Sequence, residues 1–500
     1  LKDYYTSIND LNMKYIFLSF SLLLVLPTWA NNVQISTLSY NDQNNQLTFN
    51  ISWDNGFHIN NHFRDYVYVF IKYKNSNSQI WQRMTFPLSG HSEIGGIQAD
   101  YHSQSKIING ERFAIKINHI PGFQSGSSSG TAIIQLSNQI TLVKPSFKVF
   151  GIEMIEQTNV GSTNYSIGDG SSTNRVHQGN NVNLPFAWDG EIEDINVGTG
   201  LNDINVTGAP IPVTSIPYQY FSAALNLMRY EISQEQYVDF LNCLTREQQN
   251  TRTGTDISGT SVSQVFVMSS TNTPINRNAI RCKTSLSLSD PVFFYCDLNN
   301  NGVPNETFDG QNIAANYLLP KDLLAYLDWA GLRPLNEFQY EFAARGTDPP
   351  VPGEFAWGTS TKNLALINGS QGGPGEVPTN LGDEGLFRAG TPLRCGFAAT
   401  NSSSRSQSGA SFFGAMELSG NVAELVIGSY SPSDFPTSTL PSGDGTLDIN
   451  GDHNVSSWPN NLTTKGSANT SSTLRSVSHR SGIYASPIIR SQYFGGRGRL

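Results

Sequence analysis

Gly126-Ser127-Ser128-Ser129-Gly130 has the spacing of a nucleophile elbow, where a serine is presented on a sharp strand-to-helix turn. No strand-to-helix pattern surrounds it, and the run from Ser125 to Gly130 reads as a flexible Ser/Gly loop. His58 and His62 stand four apart, the separation at which two imidazoles on a helix share a zinc ion, but the segment is an Asn-rich loop without the intervening Glu. Oxygen ligands are better represented. Asp297, Asn299 and Asn301 alternate, with Gly302 in sixth place, as in the first half of a calcium loop. Glu306 and Asp309 both miss the twelfth place, so calcium and a solvated Asn/Gly turn both fit. Asp444, Asp448, Asn450 and Asp452 form a second oxygen-rich loop. Cys282 and Cys296 bracket a short stretch, which in an oxidising compartment predicts a local disulfide. Cys243, between Leu241 and Leu244, reads as a small buried hydrophobe, and Cys395 has no visible partner.

The elements that must position these groups belong to a chain of 500 residues, long enough for two or three domains. Its 31 basic against 40 acidic residues give a net charge of −9, and no basic run exists to neutralise phosphates, which argues against a nucleic-acid partner. Met13-Lys14, the apolar run Tyr15 to Leu26 and the ending Thr28-Trp29-Ala30 have the form of a bacterial secretory signal peptide. Residues 1–30 are therefore expected to be a leader, with the signal peptide at 13–30. The mature chain is expected to start near Asn31 and to be secreted or held at the cell surface. No further apolar run reaches spanning length, so no transmembrane segment is expected in it.

From Val33 to Phe150 short alternating runs are broken by Asn, Gly and Ser. Gln46 to Trp53, Tyr66 to Tyr73, Arg112 to Ile117 and Thr131 to Leu136 read as strands, so 31–150 is expected to be an antiparallel β-sandwich. Residues 151–500 differ. Long Gly/Asn/Ser loops alternate there with helical spacing at Ile232 to Leu244, Leu318 to Gly331 and Glu337 to Arg345. Asn336 with Gln339 at its third helical position makes a capping box, over an expected core of Trp329, Leu332, Phe338 and Phe342.

Four motifs in order then carry a resemblance. Met228-Arg229-Tyr230-Glu231-Ile232-Ser233 running to Leu241, Gly331-Leu332-Arg333-Pro334 running to Gly346, Phe355-Ala356-Trp357-Gly358, and Gly414 to Glu424 resemble the formylglycine-generating (sulfatase-modifying factor) domain. The N-terminal part, with Ile51-Ser52-Trp53-Asp54 and Val69 to Tyr73, is similar to a module that precedes this domain in some Bacteroidetes surface proteins. The resemblance implies a mixed fold, a sandwich followed by a loop-rich α+β domain with a C-type-lectin-like scaffold. It also implies calcium at Asn421, Val422 (through its carbonyl) and Glu424. The family's copper chemistry uses two thiolates near the chain end. No cysteine follows Cys395 here, and the matching stretch reads Ser478-His479-Arg480-Ser481, so no copper is expected and the chain resembles a non-catalytic member.

The leading expectation is thus an exported, non-enzymatic surface protein that binds a ligand or self-assembles, with Arg475, His479, Tyr484, Arg490 and Tyr493 as its contact surface. One alternative is a retroelement-diversified display protein, variable over Ser476 to Arg490. Another is a divergent oxidoreductase of the same family. That would need a His-rich site, and His177, His453 and His479 are the only histidines of the second region.

Overall fold

The computed structural model describes residues 33–500 apart from 61–62, 76–77, 102–104, 138–144, 158–163, 172, 192, 222–224, 260, 368–371, 430–439 and 469–472. The expected signal peptide and His62 lie outside the described residues. The chain is mostly β with few helices, and its sheets are largely antiparallel.

Eleven strands build the N-terminal part: β1 (Gln34–Asn41), β2 (Gln46–Asn60), β3 (Phe63–Lys74), β4 (Gln82–Arg83), β5 (Ser92–Gly95), β6 (Ile97–Tyr101), β7 (Ile107–Ile108), β8 (Glu111–Arg112), β9 (Ile115–His119), β10 (Ser125–Gln135) and β11 (Ser146–Gln157). One layer holds β1, β2, β10 and β5. The other holds β11, β3, β9 and β6, and β2 joins it through the pair His58↔Arg64. Alternation explains why they face each other. Leu47, Phe49, Ile51 and Trp53 of β2 share one core with Val67, Val69 and Ile71 of β3.

Ser125 to Gly130 is not a loop; it is the first half of β10, paired with β2. Its small residues have a packing reason, since a Cβ at Gly130 would lie 2.5 Å from the Ile94 carbonyl oxygen and 2.6 Å from Ile97. A bulge between Gly126 and Ser128 absorbs the irregular spacing.

The expected boundary at 150/151 falls inside β11, whose far end pairs with Leu225–Met228 from the second region. That region carries α1 (Gln234–Leu241), α2 (Arg246–Arg252), α3 (Pro320–Trp329), α4 (Glu337–Arg345) and α5 (Arg405–Ser408) among short strand pairs. Capping boxes start α1, α2 and α4. At α4 the Asn336 side chain accepts from the Phe338 and Gln339 amides while Gln339 accepts from the Asn336 amide. The expected core beneath α4 divides in two. Trp329 and Leu332 pack towards the sheet, whereas Phe338 and Phe342 belong to a second cluster with Tyr165 and Phe221. Among the described residues no helix is long and apolar enough to cross a membrane.

Candidate ligand site at the seam

Period two also builds the seam between the two parts. While Val67, Val69 and Ile71 face the sheet core, Tyr66, Tyr68, Phe70 and Lys72 of the same strand face the helices. The Tyr68 hydroxyl donates to the Ala330 carbonyl at 3.1 Å. The Lys72 ammonium donates to the carbonyls of Trp329 (2.8 Å) and Gly445 (2.7 Å), beneath Phe70, Phe113 and Trp329. Burial pulls this lysine down to about 7. Gly445, at φ +84°, allows the approach: a Cβ there would meet Phe113 at 2.2 Å.

Beside this joint lies a cleft of about 620 Å³ with walls from both parts. Tyr73, Trp81, Arg83 and Glu111 come from the sheet side, and Gln248 and Leu447 from the loop-rich side. The polar groups are held in place. Arg83 pairs with Asp444 at 2.8 Å, Glu111 accepts from Thr85 at 2.6 Å, and Gln248 donates to the Asp448 carbonyl at 2.8 Å. The Lys74 and Lys148 ammoniums each lie 4.9 Å from the Trp81 ring centre. Cys243 also lines the cleft, but burial pushes its thiol up to about 11, so it stays protonated and unreactive.

The residues expected to form a C-terminal contact surface do not share one. Arg475 is fully buried, its guanidinium 4.1 Å from the Phe387 ring centre. Arg490 is held by both oxygens of Asp322 and by the Tyr317 carbonyl. Burial, with the nearby Arg175 and Lys465 charges, pulls His479 down to about 4 and keeps it neutral, and Tyr493 is half-buried with its carbonyl accepting from the Ala423 amide. Arg475 is thus buried against the Phe387 ring and Arg490 is tied inward by its acceptors, and the exposed feature of this stretch is Tyr484 with Ile488 and Ile489.

In both expected calcium sets side-chain oxygens take part in the protein's own hydrogen bonds and ion pairs. Asp297 is buried against Arg281 and accepts from the Asn301 and Gly302 amides. The Asn299 and Asn301 side-chain oxygens accept from the Asn301 and Val303 amides, which is the turn alternative. The Asn421 side-chain oxygen Oδ1 accepts from the Leu393 amide, and Glu424 is paired with Arg497. In the second oxygen-rich loop, Asp444 is committed to Arg83 and Asp452 to Arg252.

The expected disulfide is not formed, and all four cysteines are free and buried. Cys282 stands opposite Phe294 and Cys296 opposite Ile280, which makes the two thiols diagonal neighbours. Such neighbours lie about 7–8 Å apart, beyond the reach of an S–S bond.

The structure does join Ser128 to a histidine and an acid. His119 Nδ1 lies 2.6 Å from Ser128 Oγ and Nε2 lies 2.8 Å from Asp65 Oδ1. With Nε2–H donated to Asp65, Nδ1 accepts the serine proton, which is the formal arrangement of a hydrolytic triad with the two ring nitrogens exchanged. The row is sealed. Ser128 is 4% exposed, Phe123 stacks on the imidazole at 3.8 Å, and Trp53 packs at 4.8 Å. These groups brace the sheet interior, with Arg229 reaching Asp65 at 3.6 Å from the second part.

Ser478, at the place where the resembling family carries reactive chemistry, is also closed in. Its hydroxyl donates to Glu341 at 2.9 Å and accepts from Arg345 at 2.7 Å, at zero exposure. Sequence reasoning missed the seam residues. The one available signal was Lys72 interrupting an otherwise apolar, aromatic strand. No model of a known protein family matches this chain, and no curated protein matches it.

Proposed function

We propose that this chain is an exported, non-enzymatic binding protein whose ligand occupies the seam cleft. In this reading a β-sandwich precedes a domain like the formylglycine-generating one, and the chain acts outside the cell or on its surface. The observation that carries it is the cleft itself: about 620 Å³, walled by both parts, with Tyr73 and Trp81 next to the amide and charged ends of Gln82, Arg83, Glu111 and Gln248. Aromatic rings beside a few fixed polar groups are what a small polar ligand needs, the rings for its carbon skeleton and the polar groups for its hydroxyls. An oligosaccharide segment has that surface. The sealed Ser478, the buried Arg475 and the Asp322-paired Arg490 support binding at the seam over chemistry or contact near the chain end.

The test is a soluble glycan array followed by calorimetry on the best binder. Leu447→Trp, which fills the cleft, and Trp81→Ala should each weaken binding at least tenfold with the fold intact by circular dichroism. Undiminished binding in both variants would overturn the reading. A second reading, self-association, is favoured by Tyr484, Ile488 and Ile489, which are 43%, 85% and 73% exposed. Sedimentation that shows concentration-dependent oligomers, abolished by Ile488→Ser with Ile489→Ser, would establish it.

A further inference from the structure

Arg333 and Arg499 exchange both backbone hydrogen bonds, the Arg333 amide to the Arg499 carbonyl at 2.8 Å and the Arg499 amide to the Arg333 carbonyl at 3.0 Å. An antiparallel pair of this kind sets its side chains opposite each other on one face, with Cβ atoms about 5.5 Å apart, and like charges so placed repel. Four other buried arginines show two ways of meeting such charge. Arg345, Arg480 and Arg497 pair with acids, and Arg394 donates to the carbonyls of Glu376, Cys395, Gly396 and Phe397. Arg499 uses neither. It is 5% exposed, its Nε has no partner, and among the described residues its guanidinium donates no hydrogen bond and meets no acid. The Arg333 guanidinium reaches the Leu440 carbonyl alone, and its Nε is also buried without a partner. Burial, then the Arg333 charge, pushes Arg499 well below the usual arginine range, and burial pushes Arg333 down to about 10.

Arg499 lines a cavity of about 20 Å³, and Leu440, whose carbonyl Arg333 reaches, forms part of the same wall. No acid lines it. Gln339, also in the wall, spends its Oε1 on the Asn336 amide, which leaves its NH2 as a donor. Gln219 lies beside them with a buried Oε1 that has no partner, and a half-turn of that amide puts its NH2 in the same place. The volume suits one ion or one water and is too small for a phosphate or a sugar. A water would satisfy a donor, but it would leave two buried positive charges facing each other without compensation.

We propose that this cavity binds one small monovalent anion of halide size, held by the Arg499 and Arg333 guanidinium groups with the Gln339 NH2 as a further donor. Chloride is the ion that fits this description in ordinary solution. It supplies the negative charge that no described acid brings to the pair, and it ties the turn into α4 to the segment at Arg499. The site is independent of the glycan reading, because it shares no lining residue with the seam cleft.

Thermal unfolding of the full chain in sodium chloride, sodium bromide and sodium gluconate, at one fixed ionic strength, tests it. Gluconate is too large for the cavity, so chloride and bromide should raise Tm by a few degrees over gluconate, in a rise that saturates as binding to the folded state requires. The chloride-35 resonance should broaden in the presence of the protein, and bromide should reverse that broadening by competition. Arg499→Gln should remove both the halide rise and the broadening. Gln219→Glu, which brings a carboxylate to the pair, should raise Tm in gluconate and weaken the chloride response at least tenfold. Equal Tm in chloride and gluconate for the unsubstituted chain would overturn the proposal and leave water as the occupant. An undiminished chloride response in either variant would overturn it as well, and Gln219→Glu keeps the test decisive if Arg499→Gln fails to fold.

Discussion

The two parts of this molecule fill their interiors with different chemistry. Between the sheet layers lie Leu47, Phe49, Ile51, Val67, Val69, Ile71, Ile115 and Ile134, because paired strands satisfy one another's amides and carbonyls and leave the side chains free to be apolar. The loop-rich part, beside apolar clusters of its own, buries Arg252, Arg345, Arg475, Arg480 and Arg497 almost completely. Loops leave carbonyls without a ladder partner, and a guanidinium can serve several at once. Arg497 donates to the carbonyls of Met228, Arg229 and Met416 while pairing with Glu424. Arg480 donates to the Ala209 carbonyl while pairing with Glu337. Where regular pairing ends, buried arginine takes over the task of satisfying the backbone, and at Arg345, Arg480 and Arg497 a buried acid accompanies it.

The sharpest way to break this comparison is Arg480→Ala. It leaves Glu337 as an uncompensated buried charge and should cost about 3–5 kcal/mol in urea unfolding. Arg480→Met with Glu337→Leu should recover most of that loss, since both charges leave together. A single variant that costs under ~1 kcal/mol would show that the buried pair carries little of the fold. In the sheet, Leu47→Ala should cost about 2–5 kcal/mol by deleting buried methyls and leaving a cavity. Unlike the arginine change, no second substitution of opposite charge should rescue it.

Acid should separate the two parts as well. Burial acts to raise the Glu337 carboxyl, but Arg480 outweighs it and holds the group down to about 2. Its folded value is thus below the unfolded one, so its contribution is present above about 4.3 and is lost as the pH falls from there through about 2. Hydrogen exchange between pH 5 and 2 should therefore show α4 loosening before the apolar layers around β2 and β3. The smallest effect expected is that of Asn336→Ala, which removes the α4 cap and should cost about 1 kcal/mol. An equal loss of protection in β3 and α4 would mean that the seam transmits local changes, and the contrast between the parts would then be one of composition alone.

Much of the local structure was legible. The β2 strand follows from alternation, β3 from its β-branched and aromatic run, α1 and α3 from helical spacing, and α4 from its capping box. α2 carried the same signal in Thr245 and Gln248, but no apolar stripe accompanied it. Ser125 to Gly130 misled because Ser/Gly composition marks a loop unless a neighbouring backbone presses against it, and that neighbour is the strand at Gly95, paired with Gly130 from thirty-five positions earlier in sequence. The contact surface misled for a related reason. Arg and Tyr are enriched at interfaces, but Arg is also the residue that satisfies buried loops, and residue type alone does not separate the two roles.

The sequence by itself determined periodicity, caps and the contrast between a strand-rich and a loop-rich half, because each depends on residues within a few positions of one another. Only the tertiary structure decided which charged groups are committed and which are unbalanced. Asp65, His119 and Ser128 meet only once the layers have stacked. The partner of Arg490 is Asp322, 168 residues away in the chain. Pairing of buried charge depends on distance through space, which local pattern does not record.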